Sequence, residues 1–300
     1  MKSIVQKSKY GASQRRIRNI EAWASVGPVM VYMFIFSFLP VMFVIYLSFT
    51  EWNGIIGLPQ WVGLKNFVNF FSSSQYLNIL WQTVYIGGIG LILGMTLPFL
   101  LALLLNLKIR GQSAYRTVWY IPVVTSFAVM SQIVIVFLNP MDGSLNNFLL
   151  SIGLQRVDWQ LSTFWMVFWI TIFIQWKGIG GGALLFLAGL QSVDPSVYEA
   201  AKIDGAGRWR RMVSITVPLM KPMWAFVFVM GINGMFQVFE PIYFITQGGP
   251  KGTTTVIVYQ LWKDAFVNFQ MGMASVGSVV ILLIVMACTM VSLKLSKSIY

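Results

Sequence analysis

Six long apolar runs divide this chain, and they limit its possible folds more than any other feature of the sequence. A helix that crosses the hydrocarbon core of a bilayer needs about 20 mostly apolar residues. The runs occupy residues 26–49, 83–107, 118–138, 161–190, 224–246 and 272–293. The fourth run contains a glycine-rich stretch at 177–182, so it could also be a shorter span followed by a second helical piece. The sequence predicts an all-α integral membrane protein with six transmembrane helices.

The charge content agrees with this class and excludes others. Charged residues make up only 10% of the chain, whereas soluble proteins carry about 25%. The net charge of +12 is spread over the gaps between the apolar runs rather than gathered on one face. This pattern is typical of a polytopic membrane protein and predicts no nucleic-acid partner.

Basic residues also indicate the orientation. Most of the 21 lysine and arginine residues lie before the first run or after the second, fourth and sixth runs. Cytoplasmic loops are rich in these residues. We therefore predict a multi-pass membrane protein with both termini in the cytoplasm. Residues 1–25 form a cytoplasmic N-terminal segment, and residues 26–300 form the transmembrane domain.

The residues needed for catalysis or metal binding are scarce. The chain has no histidine and a single cysteine, Cys288, which lies inside an apolar run. These counts remove the commonest general base and the usual transition-metal ligands. We predict no catalytic site, no metal site and no cofactor. An integral membrane enzyme and an ion-coupled secondary carrier remain as alternatives, although the chain is short and poor in buried acids for a carrier.

The segment after the fourth run, residues 191–218, has strong helix signals. Asp194 followed by Pro195 predicts an N-cap with proline in the first turn. The following residues favour a helix that runs to about residue 203. Gly205 and Gly207 then predict its end, because glycine readily adopts left-handed dihedral angles.

A second short helix is expected from about Arg208, and Pro218 is expected to start the next span. Residues 191–218 thus predict a helix–turn–helix unit on the membrane surface. A compact unit of this kind can transmit a push from another protein.

This segment resembles the EAA loop of ABC importer permeases. The resemblance is carried by Glu199-Ala200-Ala201, Gly205, Ile215 and Pro218 at the family's spacing, with Val217 in place of the usual leucine. Three further stretches resemble the carbohydrate-uptake branch of that family, namely residues 62–67, 187–190 and 246–250.

The resemblance implies a type I ABC importer permease of the bacterial cell membrane, in which the spans alternate between two open states. Such a permease carries a sugar or oligosaccharide delivered by an external binding protein. It pairs with a second, homologous permease subunit as a heterodimer in the lipid membrane. Two separate ATPase subunits use ATP and magnesium.

The resemblance also implies which residues couple to the ATPase. Glu199 would pair with a basic group there, Ala200 and Ala201 would allow close approach, and Gly205 would form the turn. The full predicted coupling set is Glu199, Ala200, Ala201, Asp204, Gly205, Arg208, Ile215 and Pro218. For Arg208 the alternative is a positive charge that only sets membrane orientation.

Polar residues inside the spans are candidates for substrate contact, because such residues usually face the protein interior. Asn233, Gln237 and Glu240 have helical spacing and should share one face. The full predicted set is Asn233, Phe236, Gln237, Glu240, Tyr243, Gln132 and Gln175. The alternative is that these side chains only bond between helices.

Two charged residues in or near the spans have open roles. Glu240 is expected to cap or pair near the outer mouth. Lys177 could pair with an acid of a neighbouring span or extend to the membrane interface. Because Lys177 is the only basic residue available to the cavity, we predict a neutral sugar rather than a phosphate compound, without identifying which sugar.

Overall fold

The computed structural model describes residues 21–107 and 110–297. The first helix begins at Glu21. Most of the predicted N-terminal segment 1–25, with its basic residues, therefore lies outside the described residues, as does Lys108. The division into this segment and a transmembrane domain stays a prediction.

Helices account for nearly all of the regular structure. In chain order they are α1 (Glu21–Ser48), α2 (Lys65–Ser72), α3 (Ser74–Leu105), α4 (Gln112–Val124), α5 (Phe127–Phe137), α6 (Ser144–Ser151), α7 (Thr163–Gln191), α8 (Pro195–Ile203), α9 (Arg208–Leu219), α10 (Lys221–Phe236), α11 (Ile242–Thr246, a π-helical turn), α12 (Ile257–Phe266) and α13 (Met271–Lys297). Two short antiparallel strands, β1 (Thr50–Glu51) and β2 (Gln60–Trp61), form a hairpin after α1.

The spans fall into two groups. Four helices, α1, α3, α7 and α13, are long and apolar enough to cross a membrane by themselves. Two bent pairs bring the number to six if each pair is counted as one span: α4 and α5 meet at 94°, and α9 and α10 meet at 66°. The prediction of an all-α membrane protein is confirmed, and the shape of the third and fifth spans differs from the prediction.

The third apolar run, 118–138, is not one straight helix. Proline cannot donate a backbone hydrogen bond and clashes with the preceding turn, and Pro122 lies near the end of α4. Thr125 and Ser126 are extended, and α5 starts again at Phe127. The chain therefore turns inside what the sequence presents as a continuous span.

The fourth run is continuous, so the alternative of a break at 177–182 is wrong. Helix α7 passes through all the glycines without interruption. A Cβ at Gly180 would collide with the backbone of Trp119, and one at Gly182 would lie 2.9 Å from the Pro98 ring. These glycines permit close packing of α7 on α4 and α3 rather than ending the helix.

The fifth run, 224–246, is also divided. Helix α10 ends at Phe236, and only α11 follows within the run. Pro241 has no N–H to bond the carbonyl of Gln237, and in a continuous helix its ring would clash with that carbonyl. Pro218 does not start this span as predicted, because α9 continues to Leu219 and α10 begins at Lys221.

The interior is built where α3, α7 and α10 meet. Phe99, Phe186 and Trp224 pack with ring centroids 4.7–5.5 Å apart. Met220, which is 2% exposed, joins the same cluster at the start of α10. This cluster lies directly beneath residues 191–218 and connects them to the long helices.

A buried acid holds together the opposite end of the molecule. Asp264, on α12, is 1% exposed. Its carboxyl group accepts hydrogen bonds from the Tyr76 hydroxyl at 2.8 Å, from Gln260 at 2.8 Å and from Asn268 at 3.1 Å. Because a buried carboxyl group without partners is costly, these three donors stabilise Asp264, and the bond from Tyr76 joins α12 to the start of α3.

We expect Tyr76→Phe to lower the free energy of unfolding by about 1–3 kcal/mol, because it removes one donor from a buried acceptor. The apparent melting temperature of the purified protein in detergent would measure this loss. Tyr85→Phe is the matched control on the same helix, since the Tyr85 ring is 50% exposed. Equal melting temperatures for the two variants would contradict the structural role of the Tyr76 bond.

Candidate functional site

Residues 191–218, here called the EAA segment, form two helices joined by a tight turn. The Asp194 carboxylate accepts a hydrogen bond from the Ser196 backbone N–H at 2.8 Å, and Pro195 occupies the first turn of α8. This bond from Ser196 lowers the pKa of Asp194 below its ordinary value. The predicted N-cap is therefore present.

The turn between α8 and α9 depends on Gly205. Its φ is +74°, in the left-handed region that other residues rarely adopt. Gly205 N donates to Lys202 O at 3.1 Å, and Ala206 N donates to Ala201 O at 2.9 Å. This pair of bonds is a Schellman motif, which satisfies the last carbonyls of α8 and fixes the exit direction of the chain.

Internal contacts make the EAA segment a compact unit. The hydroxyls of Tyr198 on α8 and Thr216 on α9 lie 3.1 Å apart, within hydrogen-bond distance. Ala201 is buried at 8% exposure. Just before the segment, a Cβ at Gly189 would lie 3.1 Å from the side chains of Met220 and Met223, so α7 packs closely on the start of α10. Movement of the segment would therefore be passed to the helices beneath it.

One face of α8 is exposed and partly apolar. Ile203 follows Ala200 by three positions and Glu199 by four, the spacings that make side chains neighbours on a helix surface, and all three residues are exposed. Ile203 is 87% exposed, and Trp209 on α9 is 74% exposed. Exposed large apolar groups on a polar surface indicate contact with another protein or with lipid.

Sequence reasoning did not select Ile203 or Trp209. The signal that could have found Ile203 is its position one helical turn after Glu199 on the same face of α8. Trp209 offered a weaker signal, as an aromatic residue between two arginines in an otherwise polar turn.

The other predicted coupling residues form an exposed group and a half-buried group. Asp204, Gly205 and Arg208 are exposed around the turn, close to the face of α8. Ile215 and Pro218 are half-buried in α9 and belong to the packed side of the unit.

Gln175 contacts a cavity between α3, α7 and α10, here called the α3–α7–α10 cavity. Its volume is about 380 Å³, and its walls are mainly glycine and aliphatic residues. Gln175 is buried, and its side-chain amide donates to Gly90 O at 2.9 Å. The cavity has no charged lining residue.

Lys177 has a role that neither predicted alternative describes. Its ammonium group donates to the carbonyls of Pro122, Val123 and Thr125 at 3.1, 3.2 and 2.6 Å. It also lies 4.7 Å from the centre of the Phe127 ring. The expected acid partner and the expected extension to the membrane interface are both wrong, because Lys177 instead binds the carbonyls that the break between α4 and α5 leaves open.

Asn233, Gln237 and Glu240 do not share one helical face, and that expectation is wrong. Helix α10 ends at Phe236, so Gln237 and Glu240 lie beyond it. Asn233 donates to Val229 O of its own helix at 3.1 Å, and Phe236 is buried at 4% exposure. Gln237 and Glu240 are exposed, and no hydrogen bond or ion pair holds the Glu240 carboxylate within the described residues.

Two predicted residues do meet across different spans. Gln132 on α5 and Tyr243 on α11 line a cavity of about 310 Å³, here called the aromatic recess. The other lining residues are Phe244, Gln247, Tyr259 and Trp262. Burial raises the pKa of Tyr259, and the nearby Tyr243 adds a smaller effect.

A protein-family model matches more than half of the chain, including most of the helices described above. The model described as "Binding-protein-dependent transport system inner membrane component" matches residues 94–298. The matched region includes the EAA segment and every predicted substrate residue.

Three curated relatives cover almost the full chain. The probable ABC transporter permease protein YurN of Bacillus subtilis (strain 168) is 32% identical, over 90% of this chain and 94% of that protein. The lactose transport system permease protein LacF of Rhizobium radiobacter is 30% identical, over 85% and 86%. The sn-glycerol-3-phosphate transport system permease protein UgpA of Agrobacterium fabrum (strain C58 / ATCC 33970) is 34% identical, over 88% and 90%.

Solved structures give the same assignment. A chain of a bacterial ABC transporter involved in the import of the acidic polysaccharide alginate superposes with a TM-score of 0.85 at 26% identity. The match covers 95% of this chain and 98% of that one. A second structure, of the alginate transporter in complex with an alginate pentasaccharide-bound periplasmic protein, gives a TM-score of 0.84 at the same identity, over 95% of this chain and 97% of that one.

Proposed function

Because the chain belongs to the family of binding-protein-dependent transport system inner membrane components, we propose that it carries a neutral sugar or oligosaccharide across the membrane. It is a transmembrane permease subunit of an ABC importer, with the type I fold. Membership of this family favours a transport subunit of an ABC importer over the ion-coupled carrier and the membrane enzyme. The transported sugar, the partners and the coupling residues belong to the proposal.

The exposed face of α8 carries the coupling part of the proposal. A separate ATPase subunit binds Ile203 and Trp209 as apolar anchors, with Glu199 paired to one of its basic groups and Ala200 permitting close approach. Interface energy is usually concentrated in a few such anchors. The Schellman turn at Gly205 keeps the two helices from bending when the ATPase moves, so the motion reaches α7 and α10.

The proposed substrate follows from the lack of charged side chains in the two cavities. The relatives are permeases of lactose and glycerol-phosphate systems, and the structural neighbour imports an acidic polysaccharide. An anionic substrate needs a basic partner. The Lys177 ammonium is already bound to three carbonyls, and neither the α3–α7–α10 cavity nor the aromatic recess has a charged lining residue. These observations favour a neutral sugar.

The proposal also includes a second permease subunit, an external binding protein and an orientation in the membrane. A second, homologous permease completes the pathway as a heterodimer, and an external binding protein delivers the sugar. Both termini and the EAA segment face the cytoplasm, where two ATPase subunits use ATP and magnesium. This orientation rests on the distribution of lysine and arginine.

We expect Ile203→Asp to reduce recovery of the ATPase subunit at least about tenfold when the tagged chain is purified in mild detergent, because a buried charge would replace a central apolar anchor. Quantitative mass spectrometry of the purified material would measure this. Leu58→Asp is the matched control, since Leu58 is 86% exposed and lies in the hairpin between β1 and β2.

Full recovery of the ATPase with Ile203→Asp would contradict the proposed docking face. The substrate is tested separately, by uptake of glucose, lactose, raffinose and glycerol 3-phosphate into cells with and without the gene. Uptake of glycerol 3-phosphate alone would overturn the proposed neutral sugar.

A further inference from the structure

The aromatic recess differs in composition from the α3–α7–α10 cavity. Its six lining residues are four aromatic residues and two glutamines, with no aliphatic and no charged side chain. It shares no lining residue with the α3–α7–α10 cavity. Its volume of about 310 Å³ falls at the lower end of the roughly 300–1,000 Å³ typical of small-molecule sites.

The aromatic wall is preorganised by ring contacts between α11 and α12. The Tyr243 and Trp262 rings meet edge to face with centroids 4.9 Å apart, and Tyr259 stacks on Trp262 at 6.0 Å. Phe239 packs behind this pair, 6.1 Å from Trp262. Tyr259 is buried at 6% exposure, so the wall has a fixed support and needs little reordering to bind a ligand.

Two free amides face this wall. Gln132 and Gln247 are both exposed, and their side chains make no hydrogen bond to another residue in the described part of the chain. Gln247 follows α11 with a left-handed φ of 50°, and its N–H donates to Ile242 O at 2.6 Å. Each amide offers donors and an acceptor to a ligand.

This combination selects one class of ligand. The apolar face of a sugar ring packs on an aromatic face, and its hydroxyls need donors and acceptors of the amide kind. A phosphate or a carboxylate would find no cation here, and an aliphatic ligand would leave both amides unpaired. A neutral sugar ring satisfies both parts of the recess.

We propose that the aromatic recess is a binding subsite for a neutral sugar ring, separate from the α3–α7–α10 cavity. The subsite holds the sugar at the end of the pathway opposite the EAA segment and selects it before it passes between the helices. This inference rests on the proposed function, because it deepens the assignment of a neutral sugar substrate.

The test uses the complete transporter, purified with its partner subunits and reconstituted in liposomes with its binding protein. Uptake of glucose, lactose and raffinose is measured at saturating binding protein. We expect Gln132→Ala combined with Gln247→Ala to slow uptake about tenfold, as the loss of two hydrogen bonds implies. The ratio of rates among the sugars should also change.

Gln270→Ala is the matched control, because Gln270 is an exposed glutamine that lines a different cavity. Trp262→Phe and Trp262→Ala provide an independent pair: the first keeps a ring and should retain uptake, and the second should lose it. The melting temperature of each variant separates loss of binding from loss of folding.

The outcomes separate the two proposals. Unchanged rates and unchanged ratios in the double variant, with a wild type that imports a neutral sugar, would overturn the subsite and leave the proposed function standing. A wild type that imports none of the neutral sugars, while importing glycerol 3-phosphate, would overturn the proposed function and the subsite together.

Discussion

Lys177→Met is expected to lower the free energy of unfolding by about 3–5 kcal/mol and to abolish transport, because it leaves three carbonyls without their donor inside the membrane. The carbonyls belong to Pro122, Val123 and Thr125, at the break between α4 and α5. Methionine has nearly the same length but no charge and no N–H. The open helix end would then have to re-form elsewhere or bind water, and α5 would lose its position relative to α7 and α11.

The measurement is the melting temperature of the purified protein, together with sugar uptake by cells. Lys177→Arg should recover part of both, since arginine keeps the charge and several donors. Lys65→Met is the matched control. Lys65 forms an exposed ion pair with Glu51 at 3.3 Å, and exposed pairs contribute only about 0–1 kcal/mol. A Lys177→Met protein that melts and transports like the wild type would disprove the role of this cation.

Gly205→Pro should stop transport while leaving the transmembrane helices folded. Proline fixes φ near −65°, whereas Gly205 has a φ of +74° and its N–H bonds to Lys202 O. The Schellman motif cannot form around proline, so α8 would end with unbonded carbonyls and α9 would leave in another direction. We expect uptake to fall more than about tenfold, since the misdirected helices no longer pass on the motion of the ATPase.

The same substitution two residues later is the control. Gly207 has a φ of −64°, close to the value that proline requires, and a Cβ there would meet no atom within 4 Å. Gly207→Pro should keep most of the uptake. Uptake and the ratio of ATP hydrolysed to sugar imported would be measured for both variants in reconstituted liposomes. Equal losses would show that the segment tolerates no proline at all, and would remove the special role of the turn at Gly205.

The helix–turn–helix form of the EAA segment was largely predictable because its signals are local. The N-cap at Asp194, the proline in the first turn and the glycine at the end of α8 act over a few residues, so sequence spacing contains the information. The exposure of Ile203 and Trp209 was not predictable in this way, because exposure depends on what the rest of the chain covers. The assignment of all these residues to an ATPase contact remains a proposal.

The substrate residues were harder to predict because they come from different spans. Periodicity placed Asn233, Gln237 and Glu240 on one face, but Pro241 interrupts the helix and separates them. Gln132 and Tyr243 meet in the aromatic recess although 111 positions separate them in the sequence. Asp264 and its partner Tyr76, which join α12 to α3, gave no recognisable signal, since a single acid between two apolar runs looks like any other.

The sequence by itself determined the membrane class, the number of spans, the helix–turn–helix form of the EAA segment and the family. Apolar length, capping residues and motif spacing depend on interactions within a few residues or a single helix, so they can be recognised in the sequence. Only the tertiary structure decided that the glycines of α7 are a packing surface, that two spans are bent, and that Lys177 binds the open end of α4. Those outcomes depend on which backbone groups lack a partner after packing, and such groups must be paired when no water is available in the membrane interior.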